Sequence, residues 1–167
     1  MKKKIIITGG LGYIGTELCK LYSGVSWYHN ILVFDNRFIS GRVKQLRDWN
    51  MEFIHGDILD KELVRQYFQD ADVVHHLAGI TSVPRTKSET SNIQDEKIKL
   101  VGVSGTKNIL DTINKNCKII FPSTHVVYEG INDVKIDIKE NENTQPILSY
   151  ASSKATNEKQ IQSSGKN

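Results

Sequence analysis

The sequence predicts an α/β protein built on a doubly wound parallel sheet. Five apolar runs of strand length recur along the chain, segments with helical character alternate with them, and a glycine-rich turn follows the first run. Right-handed crossovers between parallel strands give the strand order 3-2-1-4-5. In such a sheet the ligand crevice lies at the carboxyl ends of strands one and four, where the chain direction reverses.

The predicted strands are near-continuous runs of Ile, Val and Phe, which is typical of a parallel sheet covered on both faces. They are Lys4–Thr8, Asn30–Asp35, Met51–His55, Asp72–Leu77 and Lys118–Ser123. The predicted helices are Tyr13–Tyr22, Gly41–Trp49, Asp60–Phe68, about Thr90–Asn114 and Ser149–Ser163. Asp60 is expected to cap the third helix. The polar stretch from Tyr128 to Leu148 is predicted to be an exposed loop.

Composition and charge exclude several classes of partner. The 167 residues carry a net charge of +3, and the basic residues are scattered apart from Lys2, Lys3 and Lys4. We therefore expect no nucleic-acid partner. No apolar run approaches the ~20 residues that a membrane span needs, so we expect no membrane partner. Cys19 and Cys117 lack metal-ligand spacing and are predicted to be inert thiols of a cytoplasmic, single-domain protein.

The glycine-rich turn predicts a diphosphate site. Gly9 permits a sharp turn out of the strand, Gly12 lets a pyrophosphate approach the backbone, and Gly15 lets the helix pack close to the sheet. The positive end of the helix then faces the phosphates. Tyr13 and Ile14, between these glycines, are included among the predicted cofactor-binding residues. The alternative is a purely structural turn.

The end of the second strand indicates which dinucleotide binds. Asp35 lies 20 residues after Gly15, where a carboxylate accepts hydrogen bonds from the adenosine ribose and repels a 2′-phosphate. This position favours NAD over NADP, with Asn36 beside it. Arg37 and Arg42 argue the other way, because an arginine can accommodate that phosphate. Asp35 and Asn36 could also simply form a turn.

The ends of strands three and four carry further predicted contacts. After the third strand, Asp57 can receive the adenine amino group and Ile58 can lie against the ring, although a turn before a helix is an equal alternative. After the fourth strand, the cofactor-binding residues are expected to be Leu77, Ala78 and Gly79, and the small residues of this stretch let the backbone pass close to a dinucleotide.

The pair His75 and His76 invites a metal-site interpretation. Successive strand residues point to opposite faces of a sheet, so both imidazoles cannot easily ligate one ion, and no third ligand is in register. We predict no metal site.

The catalytic candidates are Tyr150, Lys154 and Thr124. Residues four apart share a helix face, so the phenol and the ammonium project together, and the ammonium is expected to lower the pKa of Tyr150. Thr124 follows Ser123 at the carboxyl end of strand five, where it can bond a substrate oxygen. The alternatives are an exposed helix pair and a strand-capping pair of hydroxyls.

These motifs, in this order, resemble the extended short-chain dehydrogenase/reductase family and, within it, the nucleotide-sugar epimerases. The matching pieces are Thr8–Gly15, Asp35-Asn36, Gly56-Asp57-Ile58, His76–Gly79, Gly105-Thr106, Ser123-Thr124 with Val127-Tyr128, and Tyr150 with Lys154. The resemblance implies a Rossmann domain that binds NAD and a UDP- or dTDP-linked sugar. It assigns acid/base catalysis to Tyr150, ribose binding and the lowered tyrosine pKa to Lys154, and the Ser/Thr position to Thr124. It also implies a homodimer through the helices at Thr90–Asn114 and Ser149–Ser163.

The sequence departs from the family pattern at several positions. Gly102 replaces an Asn, Pro122 replaces a Ser, and Glu129 is inserted before Gly130. Positions 125 and 126, His and Val here, are Asp and Glu in the 4,6-dehydratases, which argues against dehydration. The resemblance implies 4-epimerisation of a nucleotide sugar through a transient 4-keto intermediate. The alternatives are a reductase or dehydratase of the same family and a non-catalytic NAD-binding fragment.

Family members have about twice this many residues. We therefore expect residues 1–167 to be a truncated NAD-binding Rossmann domain, with the last strands of the sheet and the C-terminal substrate domain missing.

Overall fold

The fold is described from a computed structural model that covers residues 1–81, 89, 91–131 and 136–166. Within these residues five parallel strands form one sheet in the order β3-β2-β1-β4-β5, which confirms the predicted fold class. The strands are β1 (Lys4–Thr8), β2 (Asn30–Asp35), β3 (Glu52–His55), β4 (Val73–His76) and β5 (Lys118–Ile120). The helices are α1 (Tyr13–Tyr22), α2 (Ser40–Asp48), α3 (Lys61–Phe68), α4 (Asn92–Lys99), α5 (Gly105–Thr112) and α6 (Ser149–Ser163).

Helices bury both faces of the sheet, which explains why the strand sequences are continuously apolar. On one face Ile6, Leu32 and Phe34 pack against residues of α3 and α5. On the other face Ile5, Ile7 and Val33 pack against α1 and α2. The alternation within β4 also separates the two histidines, as predicted. His75 bonds Tyr22 of α1 at 2.8 Å, whereas His76 points toward α5.

Several predicted element boundaries shift by one residue. Two larger differences, at the fifth strand and at the helix predicted from about Thr90 to Asn114, have physical causes. The fifth strand ends at Ile120 rather than at Ser123, because its partner β4 ends at His76 and Pro122 has no N–H to donate. Asp60 does cap α3, since its Oδ1 accepts from Leu63 N at 3.0 Å. Thr90, residues 132–135 of the predicted loop and Asn167 lie outside the described residues.

The helix predicted from about Thr90 to Asn114 is interrupted by a π segment at Leu100–Ser104, between α4 and α5. Gly102 lies in this segment and faces Ser153 of α6 so closely that a Cβ at Gly102 would collide with the serine Oγ. The wider π turn inserts one residue locally and lets these backbones approach.

In the part of the chain that the structure describes, no helix combines the length and apolarity that crossing a bilayer requires.

Candidate active site

The glycine turn between β1 and α1 is packed so tightly that side chains are excluded. Gly9 has φ +66°, and a Cβ on it would lie 2.8 Å from Ala78 N. A Cβ on Gly15 would lie 2.6 Å from Gly10 Cα. The first turn of α1 has neither a side-chain cap nor an acidic residue. Its amide groups and its positive dipole end are therefore available to an anion.

A crevice of about 1020 Å³ opens at the carboxyl ends of the strands, above this turn. The size suits an extended small molecule. Every residue predicted to bind cofactor lines it: Gly9, Gly12, Tyr13, Ile14, Gly15, Asp35, Asn36, Asp57, Ile58, Leu77, Ala78, Gly79, Tyr150 and Lys154. The sequence analysis did not assign Lys97 or Val101, which also line it. Lys97 belongs to α4 and Val101 to the π segment that follows it, and no sequence motif marks either residue.

Asp35 is buried at the end of β2, and both oxygens of its carboxylate accept hydrogen bonds. One oxygen accepts from Leu11 N at 2.9 Å, and the other accepts from Arg37 N at 3.0 Å. The Arg37 guanidinium adds two contacts at 3.2 Å, one from Nε and one from Nη2. Arg42 Nη1 donates to Leu11 O. The arginines that argued against NAD specificity therefore both contact this corner of the site.

The two residues predicted to contact adenine also make contacts within the chain. Asp57 Oδ2 accepts from Asn36 Nδ2 at 3.0 Å, and its Oδ1 accepts from Leu59 N at 2.9 Å. Ile58 is buried against Gly105 of α5, where a Cβ would collide with its side chain. The same residues thus shape the turn and line the crevice.

His76 belongs to a buried hydrogen-bonded chain that the sequence analysis missed. Thr106 Oγ1 donates its one proton to Gly102 O at 2.6 Å, so at 2.9 Å it accepts from His76 Nε2–H. Burial, and secondarily the charge of Lys154, lowers the pKa of His76 to about 3. The ring is therefore neutral, and its Nδ1 accepts from Thr8 Oγ1 at 2.9 Å.

The chain continues to the crevice, because Ala78 N donates to Thr8 Oγ1 at 3.0 Å. It therefore joins the crevice-lining strand end at Ala78 to the π segment at Gly102. Thr8, His76 and Thr106 each belong to a piece of the family pattern, but their bonds to one another join separate elements and appear only in the folded chain.

Tyr150 and Lys154 project together from α6 into the crevice, as predicted. Lys154 Nζ donates to Pro122 O at 2.7 Å and lies 4.3 Å from the centre of the Phe121 ring and 5.8 Å from that of Tyr150. Burial lowers the pKa of Lys154 to about 8, against an opposing effect of Glu158. The expected lowering of the Tyr150 pKa is wrong for this arrangement, since burial raises it.

The two adjacent hydroxyls at the end of strand five have different surroundings. Ser123 lines the crevice and donates to Glu158 of α6. Thr124, the predicted catalytic hydroxyl, caps the 3-10 turn His125–Tyr128 that follows it, and its Oγ1 accepts from Val126 N at 3.4 Å. Thr124 does not line the crevice among the described residues.

Glu129, noted only as an insertion, anchors the start of the helix that carries Tyr150. Its Oε1 accepts from Ile147 N at 2.7 Å and from Leu148 N at 2.6 Å. Leu148 precedes α6, which otherwise has no side-chain cap and no acidic residue in its first turn. Beside these bonds, Gly130 N donates to Gln145 O at 2.8 Å. Sequence alone could not show this contact, because it joins residues 18 and 19 positions apart across an irregular loop.

Comparison with known proteins identifies the family. The profile of the NAD dependent epimerase/dehydratase family matches residues 5–167. The chain belongs to this family. CDP-paratose 2-epimerase of Salmonella typhi is 35% identical over 84% of the chain and 42% of that protein. dTDP-D-glucose 4,6-dehydratase of Dictyostelium discoideum is 31% identical over 96% of the chain and 40% of that protein.

Solved epimerase structures share the fold. UDP-glucuronic acid 4-epimerase of Bacillus cereus, solved with UDP-glucuronic acid and NAD, superposes with a TM-score of 0.77 at 26% identity. The match covers 98% of the chain and 52% of that structure. The chain therefore spans about half the length of the relatives it matches.

The residues that line the crevice suit NAD, the cofactor that the family description names. A glycine turn with no room for a Cβ and an uncapped helix N-terminus suit a pyrophosphate. Asp35 occupies the ribose position of the dinucleotide fingerprint. The family's cofactor is NAD, as the sequence predicted.

Proposed function

We propose that this protein, in its full-length chain, is an isomerase that inverts C4 of a nucleotide sugar through a transient 4-keto intermediate, with NAD as cofactor. The observation that carries the proposal is that Tyr150 and Lys154 line the same crevice as the glycine turn. A proton-accepting phenol and a dinucleotide site in one cavity suit removal of hydrogen from a carbinol carbon.

The proposed roles follow from the positions of the side chains. Bound NAD supplies the hydride acceptor and donor. Tyr150 accepts the proton of the C4 hydroxyl and later returns it. Lys154 holds its ammonium 5.8 Å from the centre of the Tyr150 ring, and a cation there would favour the ionised phenol during proton transfer. The Gly9–Gly15 turn and Asp35 hold the diphosphate and the ribose, and Asp57 and Ile58 hold the adenine.

The hydroxyl that assists Tyr150 is proposed to come from the end of strand five. The resemblance assigns Thr124 this role. Ser123 is the alternative, because its side chain is among those that line the crevice.

Dehydration is the second candidate, because 4,6-dehydratases are among the relatives. Positions 125 and 126 carry His and Val, so neither supplies the carboxylic acid that would expel a hydroxyl. Epimerisation is therefore the better supported reaction. A reductase would consume NADH in proportion to product, and a non-catalytic binder would take up NAD without turnover.

A UDP- or dTDP-linked sugar is the proposed substrate, and relatives with known structures are named for UDP-sugars. We also propose a homodimer through the helical stretch predicted at Thr90–Asn114 together with α6. Ile93 of α4 and Leu100 of the π segment are exposed on that stretch. The buried, unpaired thiols of Cys19 and Cys117 support a cytoplasmic location.

The test incubates the full-length chain with NAD and a panel of UDP- and dTDP-sugars, and follows the C4 epimer by proton NMR. Tyr150→Phe should lower turnover by a factor of about 10³ while NAD affinity changes little, because the phenol transfers the proton and the ring remains. Tyr28→Phe, an exposed tyrosine in the loop before β2, is the matched control. Bound NAD without conversion of any sugar, or full activity in Tyr150→Phe, would contradict the proposal.

A further inference from the structure

We propose that Phe121 is a positioning residue for the proposed reaction, because the face of its ring holds the Lys154 ammonium beside Tyr150. The inference rests on the proposed function for the task of that ammonium. It adds a residue that none of the matching pieces of the family pattern includes, since the piece at the end of strand five begins at Ser123.

The first observation is that two consecutive residues after β5 hold the ammonium. Lys154 Nζ lies 4.3 Å from the centre of the Phe121 ring and donates to Pro122 O at 2.7 Å. The centre of the Tyr150 ring is farther away, at 5.8 Å. The face of an aromatic ring carries partial negative charge and attracts a cation at such distances, more strongly where water is excluded. Phe121 is therefore the closer aromatic contact of the ammonium.

The second observation concerns the backbone that carries this ring. The ladder between β4 and β5 ends at the pair His75 and Ile120, so Phe121 lies beyond the bonds of the sheet. Pro122 fixes its own φ and restricts the residue before it to an extended backbone. The dipeptide thus keeps its extended direction without a partner strand. This restriction holds the ring and the carbonyl on the side where Lys154 meets both.

The third observation is a second contact of the Phe121 ring. It packs against the ring of His76, with centroids 5.7 Å apart and an angle of 34° between the planes. Both nitrogens of His76 are hydrogen-bonded, one to Thr8 and the other to Thr106. Burial, and secondarily the charge of Lys154, lowers the pKa of His76 to about 3, so no imidazolium competes for the phenyl ring. A fixed and neutral imidazole therefore keeps Phe121 in place.

The ring face matters because the ammonium has lost much of its water. Burial lowers the pKa of Lys154 to about 8, although the charge of Glu158 opposes this effect. Tyr150 on the same helix and Lys97 of α4 are the other titratable groups that line this crevice near it. A ring face with less negative charge should leave more of Lys154 neutral at pH 7 to 8. The Tyr150 phenol would then lose its neighbouring cation.

The experiment changes the charge on the ring face and keeps the shape of the ring. In the full-length chain, Phe121 is replaced by a singly and by a triply fluorinated phenylalanine, because fluorine withdraws electrons from the ring face. Peptide mass spectrometry measures the pH midpoint at which an amine-acylating reagent labels Lys154. The midpoint should fall stepwise, by at least about 0.5 pH unit for the triply fluorinated ring. Phe121→Tyr, which keeps an aromatic face, should stay within about 0.3 pH unit of wild type.

A control and a second variant separate the ring face from packing. The same triply fluorinated residue in place of Phe38, an exposed ring that packs against Phe53 and His55, should leave the Lys154 midpoint unchanged. Cyclohexylalanine in place of Phe121 keeps the bulk of the ring without its π electrons. It should lower the midpoint at least as far as the triply fluorinated ring does.

The outcomes distinguish this inference from the proposed function. A midpoint that fluorination of Phe121 does not move overturns the role of Phe121 and leaves the proposed function standing, since Tyr150 and Lys154 can act without it. Absence of turnover with every nucleotide sugar overturns the proposed function, whereas the labelling midpoints still decide whether Phe121 holds the ammonium.

Discussion

Lys154 illustrates how burial tunes a single group. Its ammonium has one carbonyl partner, Pro122 O, and the face of Phe121, which do not replace the water it has lost. Burial therefore lowers its pKa to about 8. At neutral pH the side chain is still mostly charged, as its proposed role beside Tyr150 requires.

This pKa predicts unusual reactivity. In the full-length chain, the rate at which an amine-acylating reagent labels Lys154 should rise with a midpoint near pH 8, because only the neutral amine reacts. Peptide mass spectrometry measures the rate at each pH, and Lys154→Met should remove the signal. A midpoint near the ordinary lysine value of 10.5 would show that the ammonium remains hydrated.

His76 predicts a pH dependence of stability. Its pKa is 6.5 when unfolded and about 3 when folded, so between these values the unfolded chain binds more protons. The free energy of unfolding should therefore rise with pH from about 3 to 6.5, and the His76 contribution is lost as pH falls.

His76→Asn should remove that part of the pH slope and destabilise the protein at pH 7 by about 1–3 kcal/mol, because the bond to Thr106 is lost. Urea unfolding at several pH values measures both effects. His125→Asn, an exposed control, should keep the wild-type slope. An unchanged slope in His76→Asn would mean that the imidazole can take up a proton in the folded state.

At the scale of elements, Gly15 of the glycine turn and Gly41 of α2 differ in the space available for a side chain. A Cβ on Gly15 would meet the backbone of Gly10 at 2.6 Å, whereas a Cβ on Gly41, in α2, meets nothing within 4 Å. Gly15→Ala should destabilise the protein by about 1–3 kcal/mol through overpacking and weaken NAD binding. Gly41→Ala should stabilise it by about 0.5–1 kcal/mol.

Thermal unfolding and NAD titration of both variants check this contrast. Equal effects of the two substitutions would show that the turn tolerates a methyl group. That result would contradict the collision expected between a Cβ at Gly15 and the backbone of Gly10.

The helix that carries Tyr150 depends on Glu129 for its start. Glu129→Ala removes two charge-assisted hydrogen bonds and should cost about 1–3 kcal/mol of stability. Amide hydrogen exchange should accelerate at the first turn of α6. Glu17→Ala, an exposed control in α1, should leave exchange there unchanged. Wild-type exchange in Glu129→Ala would mean that the loop, rather than the carboxylate, fixes this helix.

The elements that sequence predicted well are those set by local pattern. α1, β1, β2 and α6 have the predicted bounds, because a short apolar run or a single motif defines each one. The π segment was not predictable, since it depends on the approach of Gly102 to Ser153, 51 residues later. The early end of β5 likewise depends on where its partner strand stops.

Across the whole molecule, the crevice was predictable because its lining residues follow the strands directly. The carboxyl ends of parallel strands meet at one edge of the sheet, so motifs at Gly9, Asp35, Asp57 and Ala78 converge without further information. What sequence could not give is the bonding between elements. The ion pair of Asp35 with Arg37, the chain through His76, and the position of Ser123 rather than Thr124 in the crevice all require the folded geometry.

The chain spans about half the length of the relatives it matches. Among the described residues, the proposed dinucleotide site and the Tyr150 phenol share one crevice. The proposed function predicts that hydrogen leaves C4 of the sugar and returns to the same carbon.

The most direct test supplies the full-length chain and NAD with a nucleotide sugar carrying deuterium at C4. Mass spectrometry and NMR should find the C4 epimer with deuterium retained at C4 and no accumulation of NADH, because the cofactor returns what it removes. Exchange of the deuterium for solvent hydrogen, or a product altered at another carbon with C4 untouched, would contradict the account.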